Sequence, residues 1–292
     1  MTTVDGVSAL DRLQVLVAAG GVVVLSGAGI STESGIPDYR GPSGQLRSRL
    51  PVTLQEFTAS PAARRRYWAR SHVGWQRIAR AQPNPGHLAV AALQQRGAVT
   101  GIITQNVDGL HQAAGARDVI ELHGGLHHVV CLDCGARSPR TELDERLRAV
   151  NGEPLAEIAQ SNPDGDVELA DELIESFVLV GCECCGSDQL KPDVVFFGEN
   201  VPRPRVTRCF ELVERAASLL VLGSSLTVMS GLRFVHRAAA GGIPVGIVNE
   251  GSTRGDEYAD VKLDGPLGEV LPVVAAYSGG LIRAAGPGLA IS

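Results

Sequence analysis

Six cysteines occur in the 292 residues, and four of them form two pairs with the same two-residue spacer, Cys131-x-x-Cys134 and Cys182-x-x-Cys185. Two thiolate hairpins of this kind together make a tetrahedral four-sulfur zinc site, closed to substrate and therefore structural. Cys184 competes for a place in the second pair. The two-residue spacer favours Cys182 with Cys185, because the neighbours Cys184 and Cys185 would point apart. The stretch between the pairs is longer than in an ordinary zinc ribbon, so a helical insertion is expected there. Cys209, on an expected helix, reads as core, and so few cysteines do not build a disulfide scaffold.

A second constellation is Gly27-Ala28-Gly29-Ile30-Ser31, which follows directly on the apolar run 22–25. Glycines at the end of a strand let the backbone approach a pyrophosphate, which the N–H groups of a helix start can bind. The third glycine of the dinucleotide fingerprint would fall at Thr32, so a tight strand-to-helix turn explains the two glycines equally well. His123, followed by two glycines, reads on its own as a satisfied core histidine.

Helices and strands must position these groups. Leu10, Leu13, Leu16 and Val17 recur at helical spacing ahead of the strand at 22–25. Asn84-Pro85 opens a helix through Leu88, Val90, Ala91 and Leu93 that breaks at Gly97, before a strand at 99–103. The C-terminal third repeats the rhythm: helix 210–217, strand 219–222, helix 231–240, strand 243–248 and a last helix after Pro266. Alternation of this kind means an α/β fold, a Rossmann-like parallel sheet with helices on both faces. The cysteine-bearing stretch 131–191 interrupts it as an inserted module would. Residues 41–80, with Trp68, Trp75 and several arginines, form a second, helical insertion, and 279–292 a poorly ordered tail.

The formal net charge of −6 and the lack of a long basic run argue against nucleic acid or anionic membrane as the main partner. Arg64, Arg65 and Arg66 are expected to form a solvated helix face. The start Met1-Thr2-Thr3-Val4-Asp5 has neither the basic flank and apolar core of a signal peptide nor an arginine-rich transit segment, which points to the cytoplasm. No apolar stretch reaches the roughly 20 residues of a membrane span.

The glycine loop continues as Ser31-Thr32-Glu33-Ser34-Gly35-Ile36-Pro37-Asp38-Tyr39-Arg40. Two further motifs follow, Thr104-Gln105-Asn106-Val107-Asp108-Gly109-Leu110-His111 and Glu121-Leu122-His123-Gly124-Gly125. In that order they closely resemble the sirtuin family, and the resemblance runs over about 9–274. Tyr39 stands where the family has Phe, and Gly223-Ser224-Ser225 where it has Gly-Thr-Ser. With 191–199, these departures resemble the class II branch, as a bacterial member.

The resemblance implies an enzyme that spends NAD to remove acyl groups from protein lysines, with one structural zinc ion. In this family the acyl-lysine oxygen attacks C1′ of the nicotinamide ribose and releases nicotinamide. The histidine corresponding to His123 then deprotonates a ribose hydroxyl, a transfer worth ~10²–10⁴-fold. The products would be free lysine, nicotinamide and acyl-ADP-ribose. Asn106 and Asp108 are expected to hold nicotinamide and ribose, with Asn106 counted beside His123 as catalytic. Gly27, Ala28, Gly29, Ile30, Ser31, Arg40, Gln105, Val107, Gly223, Ser224 and Ser225 would also bind NAD. Ile36 and Asp38 would shape the nicotinamide pocket, Asn249, Glu250 and Gly251 would serve the adenosine side, and Leu267 would touch the adenine. The peptide would lie extended between Phe197-Gly198-Glu199 and Leu226-Thr227-Val228 as an added strand.

Under the same resemblance, 1–40, 81–125 and 192–278 form the NAD-binding domain, and 41–80 with 126–191 form the small domain. Tyr67 and Arg70 match a Tyr-x-x-Arg step that binds the carboxylate of succinyl- or malonyl-lysine; a helical pair packed on the zinc module is the alternative. A charged or long acyl chain is favoured over acetyl. Mono-ADP-ribosyl transfer to protein is the rival enzyme reading. A non-catalytic NAD sensor is the rival of another kind, although it would have no need of a base at 123.

Overall fold

A computed structural model describes residues 8–39, 52–153 and 167–277. Arg40 and the segment 279–292 lie outside the described residues.

The chain begins with α1 (Ala9–Ala18), which leads into β1 (Val22–Ser26) and a 3-10 turn at Ala28–Ser34. Helices α2 (Leu54–Ala59), α3 (Pro61–Arg80) and α4 (Pro85–Gln95) precede β2 (Val99–Thr104). Next come α5 (Leu110–Ala113), β3 (Ile120–Glu121), β4 (Gly124–Cys131), β5 (Arg137–Pro139), α6 (Arg140–Asn151), α7 (Asp171–Ser176) and β6 (Leu190–Val194). The last part runs α8 (Arg203–Glu214), β7 (Ser218–Leu222), α9 (Met229–Ala240), β8 (Val245–Val248), β9 (Val261–Leu263) and α10 (Leu267–Ala276).

Six strands form one sheet in the order β3-β2-β1-β7-β8-β9, and every pairing in it is parallel. Alternating residues divide between its faces. Val22, Val24, Leu220 and Leu222 pack with Leu13, Val90, Leu93 and Leu271, beneath α1, α4 and α10. Val23, Leu25, Leu219 and Val221 pack with Val213, Phe234 and Val235, beneath α8 and α9. Burial on both faces explains why these strands read as continuous apolar runs.

Side-chain caps set the starts of α1, α2, α3 and α4. Asn84 caps α4 by accepting from the Gly86 and His87 N–H groups, with Pro85 in the first turn. Its amide also donates to the Ile30 carbonyl at 2.7 Å, so one cap fastens α4 to the glycine-rich turn. The helix expected at 210–217 instead begins at Arg203, because Pro204 in its first turn is well placed to start it, and ends at Glu214.

The remaining strands form a separate antiparallel sheet, β5-β4-β6, against which α3 and α6 pack. The Trp68 indole donates to the Leu190 carbonyl at 2.9 Å, tying α3 to β6. Arg140 is buried between the rings of Trp68 and Trp75, 5.2 and 5.1 Å from their centroids, and pairs with Asp144. The expectation of a solvated Arg64–Arg65–Arg66 face is corrected at its first member. Arg64 is buried and holds Asp188 with both carboxylate oxygens at 2.8 and 3.0 Å, while Arg66 is exposed. No helix among the described residues is long and apolar enough to cross a membrane.

Candidate active site

The sheet order reverses between β1 and β7, and the loops leaving the C-terminal ends of β1, β2, β7 and β8 meet there. That crevice is where open parallel sheets bind nucleotides. The loop after β1 carries Gly27, Ala28, Gly29, Ile30 and Ser31; the loop after β2 carries Gln105, Asn106, Val107 and Asp108. Gly223, Ser224 and Ser225 follow β7, and Asn249, Glu250 and Gly251 follow β8.

The first two glycines answer to protein neighbours. A Cβ on Gly29 would lie 2.8 Å from the Gly223 Cα, and one on Gly27 would lie 2.7 Å from the Ser224 Cβ. Gly29 N–H donates to the Gly223 carbonyl at 2.8 Å. Gly223 itself has φ +60, and a Cβ there would meet the Ile30 nitrogen at 2.5 Å. Two main chains thus pass in direct contact at the switch point. Leu267 is buried against the same seam, with a methyl 2.8 Å from where a Gly223 Cβ would sit.

Ser31 joins two residues of the loop after β2, Asn106 and Asp108. Its buried hydroxyl donates to Asp108 Oδ2 at 2.7 Å and accepts from Asn106 Nδ2 at 3.0 Å. Asn106 Nδ2 also donates to the Gly27 carbonyl, which commits the amide hydrogens and leaves Oδ1 as the group's acceptor. Gln105 reaches the other loop, donating from Nε2 to Ser224 Oγ at 2.9 Å. Under this layer Ser26 contacts Thr104 and the buried His111 Nε2, at 2.9 and 2.8 Å. The His111 ring lies edge-on to His87, with centroids 5.1 Å apart. Burial pushes the two imidazoles down to about 3 and about 4, so both are neutral.

His123 closes one end of the group. Its Nδ1 lies 2.9 Å from the Gln105 carbonyl, which can only accept, so Nδ1 carries the proton. Nε2 therefore holds the free lone pair, and Ser230 Oγ sits 2.8 Å from it. Burial holds this imidazole below the ordinary value of 6.5, against the pull of the Gln105 hydrogen bond, and Arg233 and Arg205 add to the lowering. The ring is thus a neutral base at neutral pH.

Strand β4 leaves His123 directly and ends at Cys131. Cys131, Cys134, Cys182 and Cys185 bring their sulfurs within 4.8 Å of one another, with 3.6 Å between Cys131 and Cys185 and 3.7 Å between Cys134 and Cys182. A tetrahedron of Zn–S bonds of ~2.3 Å has edges of ~3.8 Å, so the donor set fits zinc. Cys184 is exposed and stands outside the cluster, and Cys209 is fully buried.

The segment after β6 is anchored to His123 as well, since Val195 N–H donates to the His123 carbonyl at 2.7 Å. Phe197 is 41 % exposed and its carbonyl accepts from Leu54 N–H, while Gly198 is exposed with φ +78. Glu199 is tied inward, to Lys191 at 3.1 Å and the Phe196 N–H at 2.9 Å. Tyr67 and Arg70 lie buried in the small module, and Val107 of the loop after β2 packs against the cluster that holds Tyr67. The Tyr67 ring packs on Phe57, Trp68 and Phe196, and Arg70 Nε donates to the Val167 carbonyl. Ile36 is buried and Asp38 half-buried beyond the 3-10 turn.

The Sir2 family pattern matches residues 27–230, a span that holds all four cysteines, His123 and the first three switch-point loops. The chain belongs to the Sir2 family. It is 62% identical over 257 residues to "NAD-dependent protein deacetylase 1" of Streptomyces coelicolor, covering 88% of this chain and 86% of that one. A Mycobacterium avium protein of the same name is 49% identical over 270 residues, covering 90% and 94%. Among solved structures, a Sir2 complex with a p53 peptide and NAD+ superposes with TM-score 0.73 at 31% identity, covering 91% of this chain and 96% of that one. Within this sirtuin, Ser230, the His87–His111 pair, the Asn84 bridge and Lys191 had no local sequence signal. Each acts on a partner that only folding brings near, apart from Lys191, whose partner Glu199 lies eight residues on but whose burial no pattern announces.

Proposed function

We propose that this sirtuin is an NAD-dependent protein lysine deacylase that releases nicotinamide and passes the acyl group to ADP-ribose. The observation that carries the reading is His123, a buried neutral imidazole with Nδ1 committed to the Gln105 carbonyl and Nε2 left as the acceptor nitrogen, in contact with the exchangeable Ser230 hydroxyl. The names of the Streptomyces coelicolor and Mycobacterium avium relatives support the same activity. Bound NAD supplies an electrophilic ribose carbon with nicotinamide as its leaving group. Once the acyl-lysine oxygen had displaced nicotinamide from that carbon, His123 would take the proton of a ribose hydroxyl on Nε2, freeing that oxygen to attack the acyl carbon as its bond to the lysine nitrogen breaks.

The other residues take these roles in the proposal. Gly27, Ala28, Gly29, Ile30 and Ser31 border the pyrophosphate, a placement supported by their position at the switch point. Asn106 offers Oδ1 to the nicotinamide side, while Gln105, Val107 and Asp108 line the ribose, with Ile36 and Asp38 beyond. Gly223, Ser224 and Ser225 close the facing wall, and Asn249, Glu250, Gly251 and Leu267 serve the adenosine end. Phe197 and Gly198 present an exposed edge for an extended acyl-lysine peptide, with Glu199 bracing it through Lys191. Tyr67 and Arg70 are assigned to the acyl end, supported by the packing of Tyr67 on Phe196, next to that edge. Four thiolates hold one structural zinc. The two-domain division, the class II assignment and a cytoplasmic location, read from the sequence, belong to the same proposal.

The test is nicotinamide release by wild type and His123→Ala against acetyl-, succinyl-, glutaryl- and lipoyl-lysine peptides. Release driven by one or more peptides, with acyl-ADP-ribose as product and loss in the variant, is the expected result. ADP-ribose attached to protein in place of acyl-ADP-ribose would overturn it.

A further inference from the structure

The base of this site has a second anchor that comes from another element. Ser230 lies in the first turn of α9, 107 positions away from His123 in the chain, and its hydroxyl meets Nε2 at 2.8 Å. Its backbone is held in turn, because the Arg233 side chain donates from Nε to the Ser230 carbonyl at 3.1 Å. The next residue presses on the opposite anchor. A Cβ on Gly231 would lie 2.6 Å from Gln105 Oε1, and Gln105 is the residue whose carbonyl accepts the hydrogen bond from Nδ1–H. Gln105 and the start of α9 therefore form one clamp, with the imidazole gripped at both nitrogens.

We infer that Ser230 is the positioning residue of the base, holding Nε2 by donating to it until a ribose hydroxyl takes over that contact. The inference rests on the deacylase reading above. A hydroxyl suits both states of the ring, since it can donate to a bare nitrogen and accept from a protonated one. In the proton-transfer step the ribose O–H proton moves to Nε2. Ser230 keeps its own proton and turns its lone pair toward the new N–H. Alanine at this position would remove both contacts and leave a buried ring fastened at Nδ1 alone.

Nicotinamide departs before His123 acts, so return of labelled nicotinamide into NAD reports the earlier step, and acyl-ADP-ribose formation reports the step through the base. Both rates are measured for wild type, Ser230→Ala, Ser230→Thr and Ser230→Cys with one acyl-lysine peptide. We expect Ser230→Ala to lose about tenfold in acyl-ADP-ribose formation, a part of the ~10²–10⁴-fold general-base contribution, while exchange stays within about twofold. Thr, which keeps the hydroxyl, restores most of the rate, and Cys, a weak donor, falls between them. An exchange-to-deacylation ratio equal to that of wild type in Ser230→Ala, whether both rates are kept or both fall together, overturns the inference. A wild type silent in both assays would instead remove the deacylase reading itself.

Discussion

The seam at the switch point and the four-cysteine module both hold groups of the candidate site in place, and they do so by opposite physical means. At the seam, Gly27, Gly29 and Gly223 bring two main chains into contact, so position comes from packing with no room for a side chain. In the small module a three-stranded sheet packs on an aromatic-rich core of its own with α3 and α6. There, position comes from a metal clip at one end and from buried cations at Arg64 and Arg140. The two meet at β4, which starts beside His123 and ends at Cys131. A backbone seam fails through excess volume, whereas a metal-clipped module fails through loss of its ion.

The largest effect should come from the clip. Structural zinc supplies ~10 kcal/mol or more to the folding of small modules. Chelation, or Cys131→Ser, should abolish deacylation while far-UV circular dichroism and a separate thermal transition retain the six-stranded sheet. Loss of both transitions together would mean that the two regions are one cooperative unit.

A smaller effect is expected at the seam. Gly223→Ala adds a methyl against the Ile30 nitrogen at a left-handed φ of +60, which should cost about 3 kcal/mol from overpacking and backbone strain. Urea unfolding would measure it, with zinc content unchanged. A cost below ~1 kcal/mol would show that the seam has slack.

Comparable in size by pH 5, but graded with pH and nearly absent at pH 7, is the effect of the histidine pair beneath the seam. Burial holds His87 at about 4 and His111 at about 3, below the unfolded value of 6.5. The unfolded chain therefore binds protons that the folded chain refuses. Stability is full above pH 6.5 and is lost as pH falls toward the folded values, by ~1.4 kcal/mol per pH unit for each histidine. Melting temperature between pH 7 and 5 reports this, and His111→Asn should flatten the slope. An unchanged slope would show that the pair is already relieved by other contacts.

The alternation of strands and helices, the Asn84-Pro85 start of α4 and the four zinc-spaced cysteines were legible in the chain because each depends on neighbours a few residues away. Strand runs buried on both faces, such as 22–26 and 218–222, announce a parallel sheet by composition alone. The family motifs marked His123, Asn106 and Asp108 as residues of one site. Tertiary structure decided the rest. It showed that Gly27 and Gly29 yield to Gly223 and Ser224, that Arg64 is buried on Asp188, and that Glu199 turns to Lys191. It also put the Ser230 hydroxyl against His123 Nε2. These outcomes rest on contacts between segments far apart in the chain, and close approach of that kind is a property of packing that no local pattern encodes.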